Sequence, residues 1–357
     1  MRIVQIVPNI SYGDGVSNDC IAIKRALSER GYDTQIYAES ISPKVESGTA
    51  VLLDKMPQFH DEDIVILHLA SGHHLNFDID KMNGKKIIRY HNITPPHFFA
   101  GYDRNSQYAC SFGYEGLRYL ADKVDYVIAV SEYNKQGLRR MGYTCDIDVM
   151  PILIPFDDYK QKPDEKTIQE YSDGKTNVVF TGRIVPNKKQ EDVIRAFHLY
   201  KKHYDPVARL FLVGSYKGME RYYERLQGYV QKLGVQDVCF TGHIPFDQIL
   251  AYYTLADVFV CMSEHEGFCI PLLEAMYFRT PILAYDSSAI GGTLGGTGVL
   301  LPEKDPALAA GWMNRLVRDE ALRKDVIENQ NRHLENFTYK AIKSKLYECM
   351  DKVLGEN

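Results

Sequence analysis

From Ile3 to Ala284, short apolar runs of strand length alternate with stretches of helical spacing, and that alternation leaves few folds open. Strands separated by a helix pair in parallel, because an antiparallel neighbour needs only a turn. In the first half, strands are expected at Ile3–Val7, Thr34–Tyr37, Ile64–His68, Lys86–Tyr90 and Tyr126–Val130. Helices are expected at Val16–Glu29 and Glu132–Met141, with Gly31 and Gly142 as stops. From Met150 to about Pro163 the pattern breaks into PILIPFDDYKQKP, whose prolines and charges read as a linker. A second series follows, with strands at Val178–Thr181, Arg209–Val213, Val238–Thr241, Val258–Met262 and Pro281–Ala284. Its helices are expected at Glu191–His203, Met219–Leu233, Phe246–Leu255 and Pro271–Phe278, and three more helical stretches run from Pro306 to Leu354. The fold class is therefore α/β, with two doubly wound parallel-sheet domains.

The bulk properties narrow the function classes. At 357 residues the chain is long enough for two cores, and its formal charge of −5, with no block of five or six basic residues, argues against nucleic acid as a partner. Seven cysteines contain no CxxC pair, as expected of reduced thiols in a cytoplasmic protein. The opening MRIVQIVPNI is too short an apolar run for a signal peptide and too interrupted for a membrane span, so it reads as a buried first strand. Peripheral membrane contact, at the inner face, stays open; the oligomeric state is unspecified. His68, His73 and His74 lack a supporting carboxylate pattern, so no metal site is expected. No GxGxxG opens the first unit, which argues against a dinucleotide dehydrogenase.

Ligands of doubly wound sheets bind beyond the carboxyl ends of the strands, so the loops there carry the chemistry. After strand Val178–Thr181 comes GRIVPNKK, where Gly182 permits a tight exit and Arg183 and Lys188 precede a helix. Two cations beside a helix start suit a diphosphate; the alternative is a solvated basic turn. After strand Val258–Met262 comes SEHEGFCIPLLEAM, in which Glu266 and Glu274 stand eight positions apart. Glu274, one turn into a helix opened by Pro271, can accept hydrogen bonds from a ribose diol, and Glu266 can reach a sugar. Otherwise Glu266 is a capping acid and Glu274 half of a surface ion pair.

The second stretch resembles the E-x7-E motif of the retaining nucleotide-sugar glycosyltransferases of family 4, whose pattern is close to EGFGLPLLEAMA. GRIVPNKK resembles that family's diphosphate-binding GR-x-x-P-x-K element, and the likeness runs over nearly the whole chain. The resemblance implies the GT-B fold, two Rossmann-like domains facing a central cleft. Residues 1–155 would form the acceptor-side domain and 156–335 the nucleotide-sugar domain, while a terminal helix over 336–357 packs back across both. It implies that Glu274 holds the ribose, that Arg183 and Lys188 hold the diphosphate, and that Glu266 touches the donor sugar, helped by backbone amides of Gly267, Phe268, Cys269 and Ile270. Cys269 departs from the family, which usually has glycine there, and a side chain at that point would narrow the pocket. Backbone groups around His243 and Ile244, in FTGHIPFDQ, would lie beside the base.

In the first half, Gly13-Asp14-Gly15 resembles the family's glycine-rich turn; Gly15 would let phosphate approach the backbone, unless the segment is a plain strand-to-helix turn. His91, in RYHNITPPHFF, stands where the family often places a histidine near the donor sugar, and it need not act as a base. Phe98-Phe99 resembles an acceptor-side loop or serves packing. The function implied is metal-independent, retaining transfer of a sugar from a nucleoside diphosphate sugar to a saccharide or lipid-linked saccharide hydroxyl, in surface polysaccharide or glycolipid assembly and with no cofactor. A sugar-nucleotide epimerase, a phosphorylase and a non-catalytic sugar-binding protein are the alternatives. Neither Asp78-Ile79-Asp80 nor Asp146-Ile147-Asp148, both of Asp-x-Asp spacing, falls in a proposed diphosphate loop.

Overall fold

The computed structural model describes residues 1–11 and 13–355. The chain divides into two compact units. One comprises Met1–His97, Asn105–Phe156 and Asn336–Asn357; the other comprises Phe98–Arg104 and Asp157–Glu335. The C-terminal segment thus belongs with the first unit, and a seven-residue piece of the first half belongs with the second.

In the first unit the elements are β1 (Arg2–Ile10), α1 (Gly15–Glu29), β2 (Asp33–Ile41), β3 (Val51–Leu52), β4 (Ile64–Leu69), β5 (Lys85–Tyr90), α2 (Arg104–Leu120), β6 (Tyr126–Ala129), α3 (Glu132–Arg140) and β7 (Asp146–Val149). The strands form one parallel sheet in the order β3-β2-β1-β4-β5-β6-β7, so the order reverses between β1 and β4. All six residues of β4 are buried, as expected of a central parallel strand covered on both faces. Within this apolar layer lie Gln5, Asp19, His68 and Arg89, all buried. Arg89 Nε donates to Asp19 Oδ2 at 2.8 Å, and its other nitrogens donate to the carbonyls of Met150 and Pro151. Asp19 Oδ1 accepts the Leu153 amide at 2.8 Å, which ties α1 to the chain that leaves the sheet.

The second unit holds α4 (Glu165–Tyr171), β8 (Asn177–Thr181), α5 (Gln190–His203), β9 (Arg209–Val213), α6 (Glu220–Leu233), β10 (Val238–Gly242), α7 (Phe246–Leu255), β11 (Val258–Cys261), α8 (Ile270–Tyr277), β12 (Ile282–Tyr285), α9 (Ile290–Leu294), β13 (Val299–Leu301), α10 (Pro306–Arg318) and α11 (Glu320–Leu334). Its parallel sheet runs β10-β9-β8-β11-β12-β13, reversing between β8 and β11. A last helix, α12 (Tyr339–Leu354), packs in the first unit: Tyr347 Oη donates to the Ala26 carbonyl and Lys85 Nζ to that of Val353.

Both sheets carry more strands than the sequence pattern suggests. β7 and β13 are edge strands of four and three residues, and β3 has only two. The Asp146-Ile147-Asp148 match proves to be β7 itself, with Asp148 held by Lys352 and by the Tyr126 hydroxyl. In the other match Asp78 pairs with Lys81 and Asp80 accepts from Tyr119.

The Asp19–Arg89 pair has no exposed side-chain surface. Removing one partner leaves a buried charge alone, so Asp19→Ala should lower unfolding free energy by about 3–5 kcal/mol. Breaking the exposed Lys81–Asp78 pair with Asp78→Ala should change stability far less. Urea denaturation of both variants checks the contrast, and similar losses would refute it.

Candidate functional site

The sequence-predicted residues of the second unit gather on two loops, one after β8 and one after β11. These are the neighbouring strands at which the order reverses, where the carboxyl ends of a doubly wound sheet leave a crevice. Gly182 leaves β8 at φ 137°, a conformation side chains rarely adopt. A single 3₁₀ turn, Pro186–Lys188, then delivers Lys188 to the start of α5. Arg183 is exposed, and its guanidinium makes no hydrogen bond or ion pair among the described residues.

The two loops are joined by their own polar groups. Asn187 Nδ2 donates to the His265 carbonyl at 2.9 Å, and the Glu264 amide donates to the Asn187 carbonyl at 2.8 Å. Lys188 Nζ sits 2.5 Å from Glu266 Oε1, with side-chain exposures of 18% and 8%. Burial would strip the ammonium of its proton, but the Glu266 carboxylate outweighs it and raises the Lys188 pKa, so the ammonium stays charged. Lys189 and Lys304 both pair with Glu264, and Lys304 also pairs with Asp192 on α5. From the far side, the Ser288 hydroxyl accepts the Glu266 amide, Ser287 donates to the Ser263 carbonyl, and Thr293 donates to that of Phe268. A loop with this many ties is rigid by construction.

Cys269 caps α8 at φ 72° and ψ 65°, in the left-handed region. That geometry accounts for the glycine expected at this position, since only glycine occupies it without steric cost. The thiol is buried, and its sulfur lies within 4.8 Å of Cys261 Sγ and of a Glu266 oxygen. A hydrogen bond with Cys261, together with burial, pushes the Cys269 thiol well above its ordinary range, so it is a neutral packing group rather than a nucleophile. Pro271 follows in the first turn of α8. The amides of Gly267 and Cys269, just ahead of the helix, make no hydrogen bond among the described residues.

Glu274 is neither exposed nor in an ion pair. Its Oε1 accepts from the Tyr159 hydroxyl at 2.6 Å and its Oε2 from the Tyr253 hydroxyl at 2.5 Å. Tyr253 in turn bonds Thr181 at the end of β8. Burial raises the Glu274 pKa, and the two phenols only partly offset it. Two hydrogen bonds leave lone pairs on both oxygens, since an ionised carboxylate accepts about four. Tyr159, Tyr253, Asn187 and Ser288 were not visible as site residues from the sequence. Phe98 arrives with the seven-residue piece noted above, its ring 6.3 Å from that of His265 and 5.9 Å from Lys189 Nζ. Beyond β10, His243 is exposed, while Ile244 packs against the cluster around Val179 and Phe211.

In the first unit the expected residues are dispersed differently. Gly15 is the first residue of α1, and Asp14 is its N-cap: Asp14 Oδ2 accepts from the Ser17 amide and hydroxyl at 3.0 and 2.8 Å. A carboxylate therefore stands at the helix start, where the family resemblance would have Gly15 admit a phosphate, and the segment has the form of a capped strand-to-helix turn. His91 lies just past β5 and is 9% exposed. Its Nε2 contacts His68 Nδ1 at 3.0 Å, and its Nδ1 is buried without a partner among the described residues. Burial, then the Arg89 charge, holds the His91 pKa well below its ordinary value, so the ring is neutral at physiological pH.

Among the described residues, three groups bring possible metal ligands within 4.8 Å of one another: Asp19/His68/His91, Glu39/His73/His74 and Cys261/Glu266/Cys269. In each a ligand atom is already engaged. Arg89 holds Asp19, Lys188 holds Glu266, and His73 bonds Glu39 through Nε2 while its Nδ1 accepts the Leu75 amide. No described helix is long and apolar enough to cross a membrane.

The sequence model of the glycosyl transferases group 1 family matches residues 161–333, most of the second unit. An uncharacterized glycosyltransferase of Methanocaldococcus jannaschii is 27% identical over 225 residues, covering 61% of this chain and 56% of that protein. The chain spans about half the length of such curated relatives. Among solved structures, a sucrose-phosphate synthase of Thermosynechococcus elongatus superposes with a TM-score of 0.76 over 100% of both chains, at 17% identity. The Anabaena HepE protein, in complex with UDP and glucose, gives 0.74 over 99% of this chain and 100% of that one, also at 17% identity. Those likenesses are of fold: two Rossmann-like parallel-sheet units, the GT-B class. Residues 161–333, which carry the β8 and β11 loops, match the group 1 glycosyl transferases.

Proposed function

We propose that this protein transfers a sugar from a nucleoside diphosphate sugar to an acceptor hydroxyl with retention of anomeric configuration. The observation that carries the reading is the buried Lys188–Glu266 pair at the point where the second sheet reverses. A cation held next to a carboxylate, beside exposed Arg183, suits a ligand that is anionic at one end and hydroxylated at the other. In this reading Lys188 and Arg183 take the diphosphate, and Glu266 orients a sugar hydroxyl. Glu274 holds the ribose diol with its remaining lone pairs, and the amides of Gly267, Phe268, Cys269 and Ile270 add donors. Backbone groups at Ile244 border the base. His91 meets a sugar hydroxyl as a neutral group.

The departing diphosphate gains charge as the glycosidic bond breaks, and preorganised donors stabilise it without rearranging. Lys188 and Arg183 supply that stabilisation, so the reaction proceeds without a metal cofactor. The leaving diphosphate accepts the proton of the incoming hydroxyl on the same face of the sugar, and an α-donor gives an α-product. The acceptor is a saccharide or lipid-linked saccharide, and the setting is cytoplasmic assembly of surface polysaccharide or glycolipid.

A thermal-shift panel of nucleoside diphosphates and their sugars tests the reading directly. The true donor at a hundred times its dissociation constant adds about 2.7 kcal/mol. No response to any of them would end the proposal. With the donor in hand, activity should survive excess EDTA, and Lys188→Ala should lower kcat by about a hundredfold or more. Loss of activity in EDTA with recovery on adding magnesium would remove Lys188 and Arg183 from the diphosphate.

Glu274 supplies a separate prediction. Its pKa is raised in the folded state, so ionisation opposes folding. The penalty is absent below the unfolded value, grows as pH rises through the folded one, and is complete above it. Glu274→Gln should therefore melt no lower than the parent at about pH 7.5, with any advantage vanishing toward about pH 4.5. The same variant should bind nucleoside diphosphate about tenfold or more weakly, the scale of a charged hydrogen bond. A clear fall in melting temperature at neutral pH would contradict the sign.

A further inference from the structure

The geometry points to Gln5 and His68 as positioning residues that set the tautomer of His91, so that its Nδ1 presents a lone pair to a substrate hydroxyl. This rests on the reading of His91 as a sugar-facing group. Gln5, His68 and His91 come from β1, β4 and the end of β5, three adjacent strands at the reversal of the first sheet. The three side chains form one buried chain of hydrogen bonds. His68 Nε2 meets Gln5 Oε1 at 2.8 Å, and His68 Nδ1 meets His91 Nε2 at 3.0 Å.

The proton positions follow from the ends inward. An amide oxygen only accepts, so His68 carries its proton on Nε2. A neutral imidazole has one proton, so His68 Nδ1 accepts and His91 Nε2 must donate. The second ring is then left with an unprotonated Nδ1, the atom that is buried and without a partner among the described residues. Turning the Gln5 amide over would reverse every step and aim a lone pair from His91 Nε2 toward Asp19. The carboxylate of Asp19 lies 3.7 Å from that nitrogen and favours an N–H there, so Asp19 decides between the two orientations of the Gln5 amide, whose Nε2 has no partner among the described residues. Arg89 is already committed to Asp19 and to two carbonyls, and it opposes a second positive charge on either ring. A buried acceptor with no donor is costly to leave empty, and a sugar hydroxyl can supply the missing hydrogen bond.

The test reads the tautomer before it reads activity. Long-range proton–nitrogen spectra of the ¹⁵N-histidine-labelled, ligand-free protein should show His68 and His91 both protonated at Nε2. Protonation of His91 at Nδ1, or at both nitrogens, would overturn the inference whatever the enzyme does. Adding the nucleotide sugar that stabilises the protein should move the His91 Nδ1 resonance, whereas the nucleoside diphosphate alone should not. A correct tautomer with no response to the sugar would overturn the hydroxyl role while leaving donor binding intact. In variants, His68→Leu removes the acceptor and should lower kcat/KM about tenfold, the scale of one hydrogen bond. His68→Asn, which keeps an acceptor near the Nδ1 position, should recover most of that loss and restore the Nε2–H state of His91. Equal losses in two equally stable variants would reduce His68 to a packing residue and end the proposal.

Discussion

The Lys188–Glu266 pair is the contact on which the second unit's loops depend. A buried ion pair rarely adds stability, because desolvation consumes most of the attraction, and its worth lies in fixing one arrangement. Here it fixes two loops against each other: Asn187, one residue before Lys188, bonds Glu264 and His265, just ahead of Glu266, through its carbonyl and its side chain. Lys304 and Lys189 brace the same loop through Glu264, and Ser287, Ser288 and Thr293 brace it from behind. A charged site on such a scaffold is ready for a ligand before the ligand arrives, and preorganisation of this kind is what lowers a barrier.

Most of the fold was legible from period alone, because central parallel strands are continuous apolar runs and their helices keep one apolar face. What escaped was local. α2 was missed, and two of its glycines, Gly113 and Gly116, look like breaks in a helix. They are there for approach: a Cβ on Gly113 would stand 2.8 Å from the Gly72 amide nitrogen, and one on Gly116 would strike Asn76. β7 reads Asp-Ile-Asp-Val because it is an edge, where charge deters further pairing and dilutes the strand signal. α4 is a short helix directly after the proline-rich stretch, where Asp164 caps it with bonds to the Thr167 amide and hydroxyl.

The candidate site was legible only in its charged and turn-forming residues. Arg183, Lys188, Glu266 and Glu274 stand in motifs of recognisable spacing, whereas their partners are ordinary residues far away in sequence. Tyr159 lies 115 positions from Glu274 and Tyr253 lies 21 away, and nothing in either neighbourhood marks a tyrosine as a carboxylate's donor. In the first half, the sequence marks Gly15 as a helix start but does not show that Asp14 caps it through the Ser17 amide.

The two units solve the same physical problem in different ways. Each places polar groups at the point where its sheet reverses, and each must keep them from collapsing onto water or onto one another. In the second unit the solution is ionic: Lys188 remains charged because Glu266 outweighs the burial that would neutralise it. In the first it is neutral. Burial and Arg89 keep His91 uncharged, and the positive charge that is present, on Arg89, is matched by Asp19 and two carbonyls. The difference suits what each would meet. A diphosphate needs fixed positive charge, while a sugar hydroxyl needs an acceptor whose proton has been placed elsewhere. Behind His91 stand His68 and Gln5, in one buried chain of hydrogen bonds that runs from β1 to the end of β5.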